Sequence, residues 1–213
     1  MIRTIFDHEL SEVERALVQM HQDVDQALGR ALRAYEYAQH GSARALIAAD
    51  GEINARRAGV EEAVLRLIAR QQPIARDLRV CIAAIAIAAD LERIGDYAAG
   101  VAALVLRDTL TPAPIPELHD LSRQVRSLLS QSITAVVERD ATVEHRLAVA
   151  DNDVDARYAQ LLQNSLAPRF ADQASLRHYM YGLFVAHNLE RIADRAVNIA
   201  ERAAWVATGL RRK

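Results

Sequence analysis

Glu92 with Asp96, Asp151 with Asp155, and Glu190 with Asp194 are carboxylate pairs standing four residues apart in this 213-residue chain. On a helix, positions i and i+4 share a face, with Cβ atoms about 5–6 Å apart. Two carboxylates so placed repel, at a cost of roughly 0.2–0.5 kcal/mol per pair. A neighbouring arginine, a cation or water has to offset that repulsion. Arg56, Arg57, Arg79, Arg93, Arg177 and Arg191 are all candidate partners. Two such pairs on neighbouring helices form an oxygen-rich patch, which suits hard or borderline divalent and trivalent cations.

The pairs recur because the chain repeats itself. Asp90-Leu-Glu-Arg-Ile-Gly-Asp96 matches Asn188-Leu-Glu-Arg-Ile-Ala-Asp194 at five of seven positions. The same shift carries Leu78-Arg79 onto Leu176-Arg177, and Ala98 and Ala102 onto Ala196 and Ala200. With a slightly different shift, Asp50-Gly-Glu-Ile-Asn54 parallels Asp151-Asn-Asp-Val-Asp155. Shared order makes duplication the economical reading. Each half then carries one acidic motif on its second helix and one on its third. The candidate metal-ligating set is Asp50, Asn54, Glu92 and Asp96 in the first half and Asp151, Asp155, Glu190 and Asp194 in the second. Asn54 brings a carbonyl oxygen but no charge, so the first-half site is expected to be the weaker. Glu201 follows Asp194 on roughly the same face, but its counterpart is Ala103, and it is set aside.

Other chemistry finds little support. Cys81 lies in an apolar run and reads as an inert buried thiol. His8, His178 and His187 have no ligand-spaced partner and read as surface or core histidines. Trp205 reads as a packing residue. There is no Gly-rich phosphate loop and no Ser/His/Asp signature. A ferritin-like di-metal carboxylate enzyme would need Glu-x-x-His motifs aimed into a bundle, and the chain has none. A metal-free helical scaffold, its acids paired only with arginines, is the remaining alternative.

The elements that position these acids are helices. Ala and Leu are abundant while aromatic residues make up 5%, which favours helix over sheet. Leu10, Val13, Leu17, Met20, Val24, Leu28 and Ala31 recur at three and four, predicting a helix over about 4–39 that breaks at His40-Gly41-Ser42. A second is predicted over about 43–70 and a third from Pro73 to about Arg107, whose centre is apolar on every face and belongs inside a bundle. Pro112, Pro114 and Pro116 mark a midpoint linker at 110–117. Helices over about 117–139, 141–164 and 171–208 follow. The expected architecture is all-α, with six long helices in two tandem sets of three, residues 1–109 and 118–213, related by internal duplication.

Hydrophobic residues at 51% and charged residues at 25% are ordinary globular values. A net charge of −2 supplies no basic field, so non-specific nucleic-acid binding lacks its main driving force. One cysteine allows no intrachain disulfide and points to a reducing, cytoplasmic setting. The N-terminus shows no signal-peptide core. The apolar run Val80 to Ala89 falls well short of the roughly 20 residues a bilayer span requires, so no direct membrane insertion is expected. Exposed helix faces favour self-association, with a homodimer as the expectation.

The residues just described resemble the PhoU family. Leu91-Glu-Arg-Ile-Gly-Asp-Tyr97 and Leu189-Glu-Arg-Ile-Ala-Asp194, with Asn198-Ile-Ala-Glu201 after it, are similar to its repeated signature. Gln72-Pro-Ile-Ala-Arg-Asp-Leu-Arg79 resembles the entry to its third helix, and Phe6-Asp-His-Glu-Leu10 its usual start. The resemblance implies two tandem three-helix bundles related by a pseudo-twofold axis, and a cytoplasmic negative regulator of the phosphate-starvation response, not an enzyme. It implies partners in a phosphate ABC transporter ATPase and a membrane sensor histidine kinase. It also implies multinuclear iron or zinc clusters, held by Glu/Asp-x-x-x-Asp motifs. Here those motifs fall on Glu92/Asp96, Asp151/Asp155 and Glu190/Asp194, with Asp50/Asn54 as the altered one.

Overall fold

The three-and-four spacing of apolar residues produces six helices, α1 (Ile2–Glu36), α2 (His40–Gln71), α3 (Ala75–Val105), α4 (Pro116–Glu138), α5 (Val143–Ser165) and α6 (Gln173–Thr208), in a computed structural model. The structure describes residues 2–107, 116–166, 170 and 172–210. No strand occurs among the described residues. The linker expected at 110–117 lies, as far as residue 115, outside them.

Leu10, Val13, Leu17, Met20, Val24, Leu28 and Ala31 are all buried, so the stripe on α1 is the face it turns to the core. Each large aliphatic side chain taken fully out of water contributes about 1.5–3 kcal/mol. In α3 the buried positions run from Val80 to Val105 around the helix, as expected of a central element. Cys81 is buried there, and burial pushes its thiol up to about 11, which leaves it an inert packing residue.

Two boundaries differ from the sequence reading. The α1–α2 break is at Tyr37–Gln39, ahead of His40-Gly41-Ser42. The Gln39 amide donates to Ala34 O and Ala38 takes a positive φ of 48°, which turns the chain before Gly41 is reached. Gly41 and Ser42 then sit in the first turn of α2, where amides lack intrahelical acceptors and either residue is tolerated. Pro73 does not open α3. It lies in the link after Gln72, and α3 begins at Ala75. Gln72 caps α2 in a left-handed conformation (φ 47°) with its amide donating to Ile68 O. Helix α6 has the clearest ends. Asp172 Oδ1 accepts from the Ser175 amide at 2.7 Å, and Gly209 closes the C-terminus at φ 76°, where glycine carries no Cβ penalty.

Helices α1 and α2 pack on α3, and α4 and α5 pack on α6. The bundles join mainly through α3 against α6. Along that contact Arg79 lies beside Gly209, Asp90 beside Arg195, and Gly100 beside Asn188. The pairing runs in opposite order along the two helices, so they are antiparallel. Three arginines bridge the halves: Arg126 to Asp25 through two 2.7 Å hydrogen bonds, Arg139 to Glu14 at 3.2 Å, and Arg195 to Asp90 at 3.3 Å.

Candidate functional site

Each half brings its two acidic motifs together where its second helix crosses its third. In the first half α2 presents Asp50 and Asn54, and α3 presents Glu92 and Asp96. The Asp96 carboxyl is pushed up by partial burial, then by the nearby charges of Glu92 and Asp50. Those three carboxylates therefore share one patch, while Asn54 is exposed beside them. Arginines contest the patch. Arg57 Nη1 lies 3.6 Å from Glu92 Oε1, with Nη2 2.9 Å from Glu61. A cavity of 120 Å³ beside Asp50 is also lined by Arg30 and by Arg56, the latter 2.7 Å from Asp23.

The second half gathers more acid and less base. Helix α5 presents Asp151 and Asp155, and α6 presents Glu190 and Asp194. Burial pushes the Asp151 carboxyl up to about 6, and Asp155, Asp194 and Glu190 add to the rise in that order. Glu190 is also raised, by burial first and by Asp194 next, against the opposing pull of Arg191 and His187. Asp151 Oδ1 and Glu190 Oε2 are both closed off from solvent and accept no hydrogen bond. The nearest cationic groups are on α6 itself. Arg191 Nε is 3.4 Å from Glu190 Oε2, and Arg191 Nη1 is 3.4 Å from Asp194 Oδ2.

All seven predicted carboxylates thus fall into two patches, with Asn54 beside the first, and α3 and α6 meet back to back between them. Glu201, set aside from the sequence, lies elsewhere, within electrostatic reach of Glu144 and Asp90. His187, also set aside, is close to the second patch. Its Nδ1 is 3.8 Å from Glu190 Oε2, and its ring packs at 5.7 Å on Tyr158 of α5. The overlooked signal was the spacing of three in His187-Asn-Leu-Glu190, which puts both side chains on one helix face.

Four mutually repelling carboxylates, with two desolvated oxygens that accept no hydrogen bond and only Arg191 at 3.4 Å from one of them, fit a cation better than they fit one another. Oxygen donors of this kind suit hard and borderline ions. Among the described residues no three His, Cys, Asp or Glu side chains already converge at ligand distance on one point. Binding would therefore draw the acids inward. The first patch, three carboxylates crossed by Arg57, is the poorer fit.

The chain matches the PhoU domain family twice, over residues 17–105 and 118–203, one match for each bundle of the duplication. It is 31% identical over 212 residues to the phosphate-specific transport system accessory protein PhoU homolog of Clostridium acetobutylicum, covering 98% of this chain and 97% of that one. Among solved structures it resembles the phosphate transport system regulatory protein PhoU from Streptococcus pneumoniae, with a TM-score of 0.89, 30% identity, and 98% and 99% of the two chains covered. PhoU from Pseudomonas aeruginosa superimposes with a TM-score of 0.88 at 29% identity, over 96% and 100% of the chains.

Proposed function

This chain belongs to the PhoU family, and from that premise we propose that it regulates a phosphate transport system by docking to its proteins, not by catalysis. The carrying observation is the near full-length likeness to proteins named as accessory and regulatory components of such a system. Its partners are the ATPase of a phosphate ABC transporter and a sensor histidine kinase, and it meets them in the cytoplasm. No helix among the described residues is long and apolar enough to cross a membrane, so contact with membrane components runs through partner proteins.

Metal status biases that docking. The second-half patch of Asp151, Asp155, Glu190 and Asp194 holds an iron or zinc centre, supported by the crowding that pushes Asp151 up to about 6. A bound cation supplies positive charge that cancels or inverts the acidic patch, changing what the surface attracts.

Capture from phosphate-replete cells tests the docking reading. Chain tagged at one end should bring down a transporter ATPase or a sensor kinase, identified by mass spectrometry. Recovery of neither, from cells that contain both, rejects it. Metal analysis of protein purified without chelator tests the metal reading separately. Iron or zinc should be present in wild type and lost in D151A/D155A.

A further inference from the structure

The geometry points to His187 as a nitrogen ligand of the second-half centre, making it a mixed nitrogen–oxygen site that favours a borderline transition-metal ion over magnesium or calcium. This rests on the metal reading above and adds a residue outside the acidic motifs. Imidazole suits zinc, iron, nickel and copper, whereas carboxylate oxygen alone suits magnesium, calcium and manganese. Whether His187 ligates therefore decides which ion the patch prefers.

Three observations carry it. His187 Nδ1 and Glu190 Oε2 lie 3.8 Å apart. Two ligands each about 2.0–2.1 Å from a tetrahedral zinc stand roughly 3.3 Å apart, so a small inward rotation brings this pair onto one ion. Both atoms are closed off from solvent and neither makes a hydrogen bond. The buried ring nitrogen is costly as it stands, the oxygen facing it has only the Arg191 guanidinium at 3.4 Å to offset its charge, and a shared cation satisfies both. Third, Tyr158 packs its ring against the imidazole from the neighbouring helix, at 5.7 Å and an interplanar angle of 39°, which holds His187 near the acids.

The repeat provides an internal comparison. The first-half equivalents of Asp155, Tyr158 and His187 are Asn54, Arg57 and Ala89. One removes a charge, one brings a guanidinium to within 3.6 Å of Glu92, and one removes the nitrogen. All three changes weaken cation binding in the first half. Arg191 is the competitor in the second. Its side chain is 43% exposed, so its head has open solvent into which to swing when a cation takes over the charge it now balances.

The test uses full-length protein stripped with chelator and titrated calorimetrically with zinc and, separately, with magnesium. Wild type should bind zinc at the second-half site far more tightly than magnesium. H187Q should lose about 10-fold or more in zinc affinity with magnesium affinity unchanged. Equal zinc affinity in H187Q and wild type overturns the His187 assignment and leaves the metal reading intact. Zinc binding that is absent from wild type, or unchanged in D151N/D155N, overturns the metal reading and this inference with it. A second measurement does not depend on the variant folding. X-ray absorption of zinc-loaded wild type should carry the outer-shell pattern of an imidazole, and an all-oxygen shell would sink the proposal.

Discussion

Ile53 Cδ1 lies 2.9 Å from the point where a Cβ on Gly95 would stand, with Ile53 Cγ2 at 3.3 Å. Helix α2 presses against α3 there with no room for a methyl group, and the contact sits between Asp50 and Asn54 on one side and Glu92 and Asp96 on the other. The second half has the buried residues Val154 and Ala193 at the equivalent positions. One carbon has moved across the interface, from α2's side of the first contact to α6's side of the second. Cores tolerate volume-conserving exchanges best. Both halves can thus cross their helices closely enough to bring carboxylates from each into one patch.

G95A should therefore destabilise the protein by about 1 kcal/mol. Overpacking typically costs about 1–3 kcal/mol, and the better helix propensity of alanine returns about 1 kcal/mol. I53V alone leaves a small gap, but G95A/I53V should recover most of the loss. Urea denaturation of the four proteins reads the coupling. Strictly additive effects would mean the two residues do not meet as described.

The four acids of the second patch should cost the metal-free protein stability. Asp151 is held up near 6 by burial and by its neighbours, so at neutral pH it is ionised against opposition. D151N, melted in chelator at pH 7.5, should gain about 1 kcal/mol after allowance for solvent screening, or about 2–4 °C in Tm for a chain of this size. Added zinc should raise the wild-type Tm and leave that of D151N/D155N nearly unmoved. A lower apo Tm in D151N would show that the carboxylate stabilises the fold.

The bridge from Arg126 to Asp25 should give an acid-dependent share of stability. Arg126, hydrogen-bonded to both carboxylate oxygens, holds Asp25 below the usual carboxylate range. A depressed carboxylate pKa stabilises the fold above the unfolded value of about 3.9, and that contribution is lost as pH falls through the folded value. R126Q should cost about 1 kcal/mol at pH 6, because the pair is part-exposed. The gap to wild type should narrow as pH drops below about 4. A gap independent of pH between 6 and 2.5 would place the loss in packing.

The first half should become metal-competent when given the second half's side chains. N54D/R57Y/A89H restores the charge, removes the guanidinium from Glu92 and supplies the nitrogen. Zinc stoichiometry by calorimetry should rise from one centre to two. An unchanged count in a folded variant would locate the difference between the halves outside these three positions.

Much of this was open to reading along the chain. Buried stripes such as Leu17, Met20, Val24 and Leu28 are written at helical spacing, and helix geometry is local, so the six rods follow. Placement of acids on like faces follows too, because i and i+4 share a face whatever surrounds them. Boundaries were less legible. Gly41 reads as a break, yet the chain turns earlier, at Ala38, because backbone hydrogen bonds to Ala34 and Arg33 close α1 first. His187 has its acidic neighbour Glu190 three residues on in the same helix, but the Tyr158 ring packed against it belongs to α5, a contact that no spacing within α6 records.

The amino-acid order alone determined the helices, their duplication and the set of acids that can meet, since each depends on periodicity within a single rod. Only the tertiary structure decided that Arg57 reaches across to Glu92, that Tyr158 of α5 packs on His187 of α6, and that α3 and α6 lie antiparallel with Asp90 against Arg195. Those relations depend on how closely two helices cross and what small residues lie between them. The crossing is set by packing across distant parts of the chain, which no local pattern records.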